Sequence, residues 1–206
     1  MRAFRTLTAV AAPMPAENID TDQIIPARFL KHSRAEGYGG FLFHDQRLDQ
    51  DGAEKPGFIL NKPEFRDARI IVAGPNFGGG SSREGAVYAL ADYGIRCVVA
   101  PSFGQIFYKN CFANGLLAAR AAAPDIAVLM SAANASGSHT LHVDLERTRI
   151  STPDGVAEIG FEVEPFFATM LLQGVDELGL TLGLRDEIAA FEERYFDRFG
   201  FLKRAG

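Results

Sequence analysis

The chain has 206 residues, enough for one domain of the larger sort, or a core with an appendage, and enough to bury a substantial core. Its 47% hydrophobic and 23% charged residues are ordinary for a soluble globular protein, no apolar run approaches a membrane span, and the start MRAFRT does not lead into a secretory apolar region. A net charge of −5 argues against a dedicated nucleic-acid binder, and two cysteines are too few for a disulfide framework or structural zinc site, so a cytoplasmic location is expected.

Residues 5 to 11 are predicted as a first strand. ENIDTDQIIP, residues 17 to 26, follows as an acidic loop running into a short apolar segment closed by Pro26. Asp20 and Asp22 stand two apart, so on an extended chain they point the same way. The plainer expectation is a turn in which they bond their own backbone; the alternative is a group that orients a base or pairs with an arginine. Residues 31 to 57 hold five glycines and Pro56 among many charges, which predicts a long, partly mobile surface segment instead of packed structure. A strand at 69–73, a helix at 82–93 and a strand at 95–100 form a predicted βαβ unit with parallel strands. A second helix enters at Pro101-Ser102, with Phe103, Ile106, Phe107 and Cys111 on its apolar face and Gly115 just past its end. Strands are expected around 140–150, then a turn at STPDG, residues 151 to 155. Ile188, Phe191 and Tyr195 mark a final amphipathic helix that covers the sheet or docks a partner. Cys97 is predicted to be a buried thiol, His139 and His142 to be exposed, and the four scattered histidines to form no metal cluster.

The stretch GPNFGGGSSREGAVYAL, residues 74 to 90, is the most informative. Glycines allow close backbone approach to a ligand, and a helix starting near Ser82 would aim free N–H groups and a positive dipole end at the same place. Arg83 adds a fork suited to a carboxylate or phosphate. The turn matches neither a Walker loop, a dinucleotide fingerprint nor a nucleophile elbow. Spacing leaves an anion site and an ordinary serine-capped helix start both open.

NIDTDQIIP, NFGGGSSREG, the run 95–100 followed by PSFGQIFYKNCFANGLL, and the tail GLTLG with DEIAAFE together resemble the small subunit of isopropylmalate isomerase (3-isopropylmalate dehydratase). That subunit is similar to the swivelling C-terminal domain of aconitase, and the resemblance covers nearly the whole chain with the motif order kept. It implies an α/β fold of the swivelling β/β/α type, a single such domain over 1–206 with a C-terminal helical extension. It further implies a separate large subunit holding a [4Fe–4S] cluster, whose iron takes the leaving hydroxyl, while this chain alone binds no cofactor. The two isolated cysteines agree, since they cannot supply the cluster's thiolates. The implied activity is interconversion of 2- and 3-isopropylmalate through an alkene in leucine biosynthesis, with a small di-acid as substrate and no nucleic-acid or membrane partner.

Carried onto matching positions, the family pattern implies Ser81 as the base on substrate carbon and Asp22 as its supporting acid. Arg83 would grip a substrate carboxylate with Ser82 beside it, and the Arg28-Phe29-Leu30-Lys31 segment would read the substrate's variable group, with Arg28 and Lys31 among the binding residues. A serine hydroxyl acts as a base only if its alkoxide is held by N–H groups and positive charge. Two positions depart: Gly79 replaces the family's usual cysteine, and Gly85 its usual histidine. The departures bear on which di-acid is turned over, so a related hydro-lyase on maleate, citraconate or a dimethylmalate-type substrate is the alternative. A non-catalytic regulatory subunit is a third expectation. RNA binding conflicts with the acidic balance.

Overall fold

The apolar alternation of the first segment becomes β1 (Thr6–Met14), whose first half is partly solvated and whose last four residues are fully buried. Its two halves serve different neighbours. Thr6 to Val10 pair antiparallel with β5 (Thr140–Asp144), and Ala11 to Met14 pair parallel with β2 (Ile70–Ala73). Pro13, which has no N–H to donate, lies beyond the last β5 pair, Val10 with Thr140, where that edge needs no ladder bond. The remaining strands are β3 (Cys97–Ala100), β4 (Leu117–Arg120), β6 (Arg149–Ser151) and β7 (Glu158–Gly160). They complete one seven-stranded sheet of order β4-β3-β2-β1-β5-β6-β7, parallel from β4 to β1 and antiparallel from β1 to β7. This computed structural model describes residues 1–135 and 139–202.

Helices α1 (Thr21–Ile24) and α2 (His44–Arg47) are single turns in the first long connection. Helix α3 (Glu84–Tyr93) joins β2 to β3 and stops at Gly94, whose φ of 112° is the left-handed cap a glycine supplies without strain. Next come α4 (Gln105–Ala113) and α5 (Ala123–Asn134), the latter packing on β1, β2 and β3. Last come α6 (Pro165–Gln173), α7 (Glu177–Gly183) and α8 (Arg185–Arg198). The predicted βαβ unit, the parallel pairing, the helix end at Asn114-Gly115 and the buried Cys97 all correspond to the structure.

Several expectations are overturned. The helix after β2 starts at Glu84, not Ser82, because Gly80 at φ 90° and an extended Arg83 (φ −131°) carry the chain away from helical geometry. Ile106 points out, 50% exposed, while Phe107 and Cys111 are buried as expected and are joined by Tyr108 and Phe112. His139 and His142 are half-buried, with His139 against the Phe65 ring at 4.6 Å. Helix α8 does not cover the sheet: Ile188, Phe191 and Tyr195 are 41%, 57% and 36% exposed.

Within the segment 31–57, residues 31–37 and 49–57 are exposed at the surface as composition predicted, but the stretch 38–47 is packed. Tyr38, Leu42, Phe43 and Arg47 are buried, and the Arg47 guanidinium donates to the carbonyls of Leu42 (3.1 Å) and Gly40 (2.7 Å). Asn61 Nδ2 donates to Arg47 O at 2.7 Å and Lys55 O at 2.8 Å, adding to the bonds these carbonyls accept from Lys55 N and Phe58 N and tying the turn together. The aromatic residues interleaved with the glycines supply the apolar contacts. Gly39 allows the approach to α3, since a Cβ there would lie 2.8 Å from the backbone of Asp92 and Tyr93. Gly39→Ala is expected to cost about 1–3 kcal/mol in urea unfolding, and hydrogen exchange should rise first in the 38–43 segment.

Candidate active site

The glycine-rich turn leaves the carboxyl end of β2 and is gripped by the loop that leaves the adjacent end of β1. Gly78 N donates to Ile19 O at 2.7 Å, and Thr21 N donates to Gly79 O at 3.0 Å, a parallel bridge between Asp20 and Gly79. Thr21, buried, donates its hydroxyl to Ser81 O at 2.9 Å. A second tie runs from Asn76 Nδ2 to Asn18 Oδ1 at 2.8 Å. It is therefore the backbone of Ser81 that is fixed, and its side chain stands at an exposed position beside exposed Ser82.

Close approach accounts for two glycines here. A Cβ on Gly78 would lie 2.2 Å from the Phe107 ring, and Gly78 itself has φ 70°. One on Gly104 would lie 2.3 Å from Gly78 O, so the start of α4 comes directly against the turn. The result is a shallow cavity of about 190 Å³ lined by Gly78, Gly80, Ser81, Gly104, Gln105 and Ile106. Two helices of nine and ten residues begin beside it, and their first N–H groups have no partner within the helix. Glu84 sits in the first turn of α3 and accepts from Asn114 Nδ2 at 3.0 Å, which ties that helix start to the end of α4. The arrangement suits an oxyanion.

Asp20 and Asp22 divide the two expectations between them. Asp20 caps α1, its Oδ1 accepting from Gln23 N at 2.8 Å, so it is the turn residue. Asp22 pairs with Arg83 Nη1 across 61 residues of sequence, with Arg83 mostly buried and Asp22 half exposed. Ser81, Ser82, Arg83 and Asp22 are thus brought together. Arg28 is engaged elsewhere: both its terminal nitrogens donate to the Asp45 carboxylate, one at 2.9 Å, beside His44. That hydrogen bonding holds the Asp45 carboxyl down at about 2. Lys31 is exposed at the end of the same 3-10 turn, Ala27–Lys31.

Three neighbours of the turn escaped the sequence reading, Thr21, Gln105 and Tyr38, and Leu30 entered it only as part of the 28–31 segment. A Cβ on Gly85 would lie 2.7 Å from Leu30 Cδ2 and 3.2 Å from Tyr38 Cε1, so the space beside the first turn of α3 is already filled from the 27–41 segment. No local pattern announces that contact; the only signal was a glycine in a helix's first turn. The larger cavity, about 480 Å³ around Pro101, Arg120, Asp125 and Glu162, contains none of the sequence-predicted site residues. No group of three or more His, Cys, Asp or Glu among the described residues could hold a metal. Cys97 and Cys111 are both buried, and burial pushes their thiols up, away from ligating thiolates, so this chain's residues do not fit an iron–sulfur cluster.

The fold defines a mixed α/β domain of the swivelling type, with the glycine-rich turn at the carboxyl ends of two parallel strands. Comparison with known proteins agrees: the aconitase C-terminal domain model matches residues 1–124, and a model described as LeuD_N matches residues 127–165. The 3-isopropylmalate dehydratase small subunit of Paramagnetospirillum magneticum is 52% identical over 193 residues, covering 94% of this chain and 96% of that one. The corresponding subunit of Rhodospirillum centenum is 52% identical over 194 residues, covering 94% and 95%. A solved Methanocaldococcus jannaschii structure titled 3-isopropylmalate dehydratase (leuD) superposes with a TM-score of 0.63 at 25% identity, covering 91% of this chain and 99% of that one. The chain belongs to the aconitase C-terminal domain family and, within it, to the 3-isopropylmalate dehydratase small subunits.

Two outcomes follow from this geometry. Gly85→Ala should displace Leu30 and destabilise the chain by about 1–3 kcal/mol, and Leu30→Ala added to it should recover part of that loss, measured as a double-mutant cycle in urea. Because the Asp45 carboxyl is depressed, the stabilisation from its pair with Arg28 is present above its ordinary value of 3.8 and is lost as pH falls through about 2. Its carboxyl resonance should titrate near 2, and near the ordinary value in Arg28→Gln.

Proposed function

We propose that this chain is the small subunit of a 3-isopropylmalate dehydratase, a hydro-lyase that interconverts 2- and 3-isopropylmalate through an alkene intermediate in leucine biosynthesis. What carries the assignment is 52% identity to proteins of that name over 94% of the chain. The enzyme is complete only with a large subunit. The iron–sulfur cluster of the aconitase-type reaction belongs to that subunit, as this chain's two buried cysteines cannot ligate it.

This chain supplies the base and one carboxylate grip. Ser81 Oγ takes the proton from substrate carbon and returns it at the neighbouring carbon. Its alkoxide is stabilised by N–H groups at the starts of α3 and α4 and by the Arg83 charge. Asp22 occupies one Arg83 nitrogen and orients the guanidinium, which has other donors free for a substrate carboxylate. Ser82 adds a hydroxyl beside that carboxylate. Arg28 and Lys31, on the segment that carries Leu30, act at the substrate's variable end, with Arg28 positioned by Asp45.

A second substrate is favoured by one observation: Leu30 and Tyr38 fill the space beside Gly85 at the start of α3, which reshapes the wall next to Arg83. A smaller di-acid of the citraconate or dimethylmalate type would then be turned over by the same residues. Anaerobic assay of the reconstituted two-subunit enzyme, following alkene formation from 3-isopropylmalate and from the smaller di-acids, decides between them. Ser81→Ala should lower kcat by about 10²–10⁴ with assembly intact. Unchanged turnover in that variant would make this a regulatory subunit, and turnover only of a smaller di-acid would move the enzyme to another pathway.

A further inference from the structure

At the opposite end of the parallel strands from the glycine turn, a second basic site is assembled from residues distant in sequence. Arg69 immediately precedes β2 and Arg96 immediately precedes β3, and Arg69 O accepts the Arg96 N–H at 2.8 Å. The four residues of β2 separate this end from the catalytic turn by about 13 Å at a strand's rise. A cavity of about 230 Å³ lies here, lined by Arg2, Phe4, Thr6, Thr8, Arg69 and Arg96 among others, and no carboxylate contributes to it.

Seven other arginines of the chain have a carboxylate partner, whereas these three share a cavity that no carboxylate lines. Arg5, Arg28, Arg34, Arg66, Arg83, Arg147 and Arg149 each lie within 4.0 Å of a carboxylate. Among the described residues no such pair is made by Arg2, Arg69 or Arg96. Arg96 is half-buried and held in place, its Nη2 donating to Arg2 O at 3.5 Å and its guanidinium 5.8 Å from the Phe4 ring. Burial, then repulsion from Arg2 and Arg69, pushes its pKa below the ordinary value, yet a guanidinium stays charged at neutral pH. Three like charges around one polar cavity, on a chain of net charge −5, repel one another unless an anion sits among them.

We propose that the Arg2–Arg69–Arg96 cavity is a binding site for a compact oxyanion carrying at least two negative charges, separate from the catalytic turn. The guanidinium forks grip its oxygens, and the Thr6 hydroxyl adds a neutral donor from the start of β1. A phosphate group and a poly-carboxylate share this chemistry.

The test uses the full chain carrying Arg83→Gln, which removes the other strong anion grip. Isothermal titration with inorganic phosphate and, separately, with tricarballylate should give one site for at least one probe, and the arm that binds identifies the chemistry. Arg69→Gln, at an exposed position, should weaken binding about tenfold or more while circular dichroism stays unchanged, and Arg96→Gln should do the same. Affinity should also fall with added sodium chloride. Absence of binding by both probes, or affinity unchanged in Arg69→Gln and Arg96→Gln, overturns the proposal.

Discussion

The candidate site exists because two loops leave the sheet at the same edge and hydrogen-bond to each other there. Strands β1 and β2 are parallel neighbours in register from Ala11 with Ile70 to Met14 with Ala73, so the chain emerges from both at one level. The loop after β1 then forms a short parallel bridge with the loop after β2, through Gly78 N to Ile19 O and Thr21 N to Gly79 O. Those two bonds, with the Thr21 hydroxyl on Ser81 O, fix a stretch of the site that has no regular secondary structure of its own. They also bring Asp22 to Arg83. Ligands of open α/β sheets bind outside the carboxyl ends of the strands for this reason: loops there are close, and backbone donors are unspent.

Around that bridge, packing makes use of the absence of side chains. Gly78 accepts the Phe107 ring, Gly104 accepts the Gly78 carbonyl, and Gly85 accepts Leu30 and Tyr38. The contacts bring two elements against the turn, α4 by the first two and the 27–41 segment by the third. Tyr38 is further clasped by α3, its N–H donating to Asp92 Oδ2 at 3.2 Å, while Arg34 lies over the Tyr88 ring at 4.0 Å. The segment carrying Arg28 and Lys31 is thus placed by α3, the same helix that follows Arg83. The outer side of the turn, at Gly80, Ser81 and Ser82, is left exposed.

Local signals were enough to locate the turn, since Gly78, Gly79, Gly80, Arg83 and the apolar run before them are contiguous, and their chemistry depends on residue type. The strands of the βαβ unit were legible for the same reason: β2 and β3 are short apolar runs buried throughout. The helix start was misplaced by two residues because Ser82 is a good cap in isolation, while the positive φ of Gly80 that overrides it is a tertiary requirement. Within 31–57 the flanks 31–37 and 49–57 are exposed as expected, and only the stretch 38–47 was misjudged, because its glycines and charges resemble a solvated loop. What packs it is a set of aromatic pairs, such as Phe29 with Phe41 at 4.4 Å, made between residues with no regular spacing.

The sequence by itself determined the strand-to-helix framework, the place of the glycine-rich turn and the scarcity of cysteines, because these depend on periodicity, residue type and count. Tertiary structure alone decided which aspartate meets Arg83, that Arg28 is held by Asp45, and that Leu30 fills the space beside Gly85. It also gathered Arg2, Arg69 and Arg96 around one cavity. Each of these is a contact between segments far apart in the chain. Such contacts are set by strand order and register, which bring loops and strand ends to a common edge of the sheet, and no local pattern of residues encodes that distance.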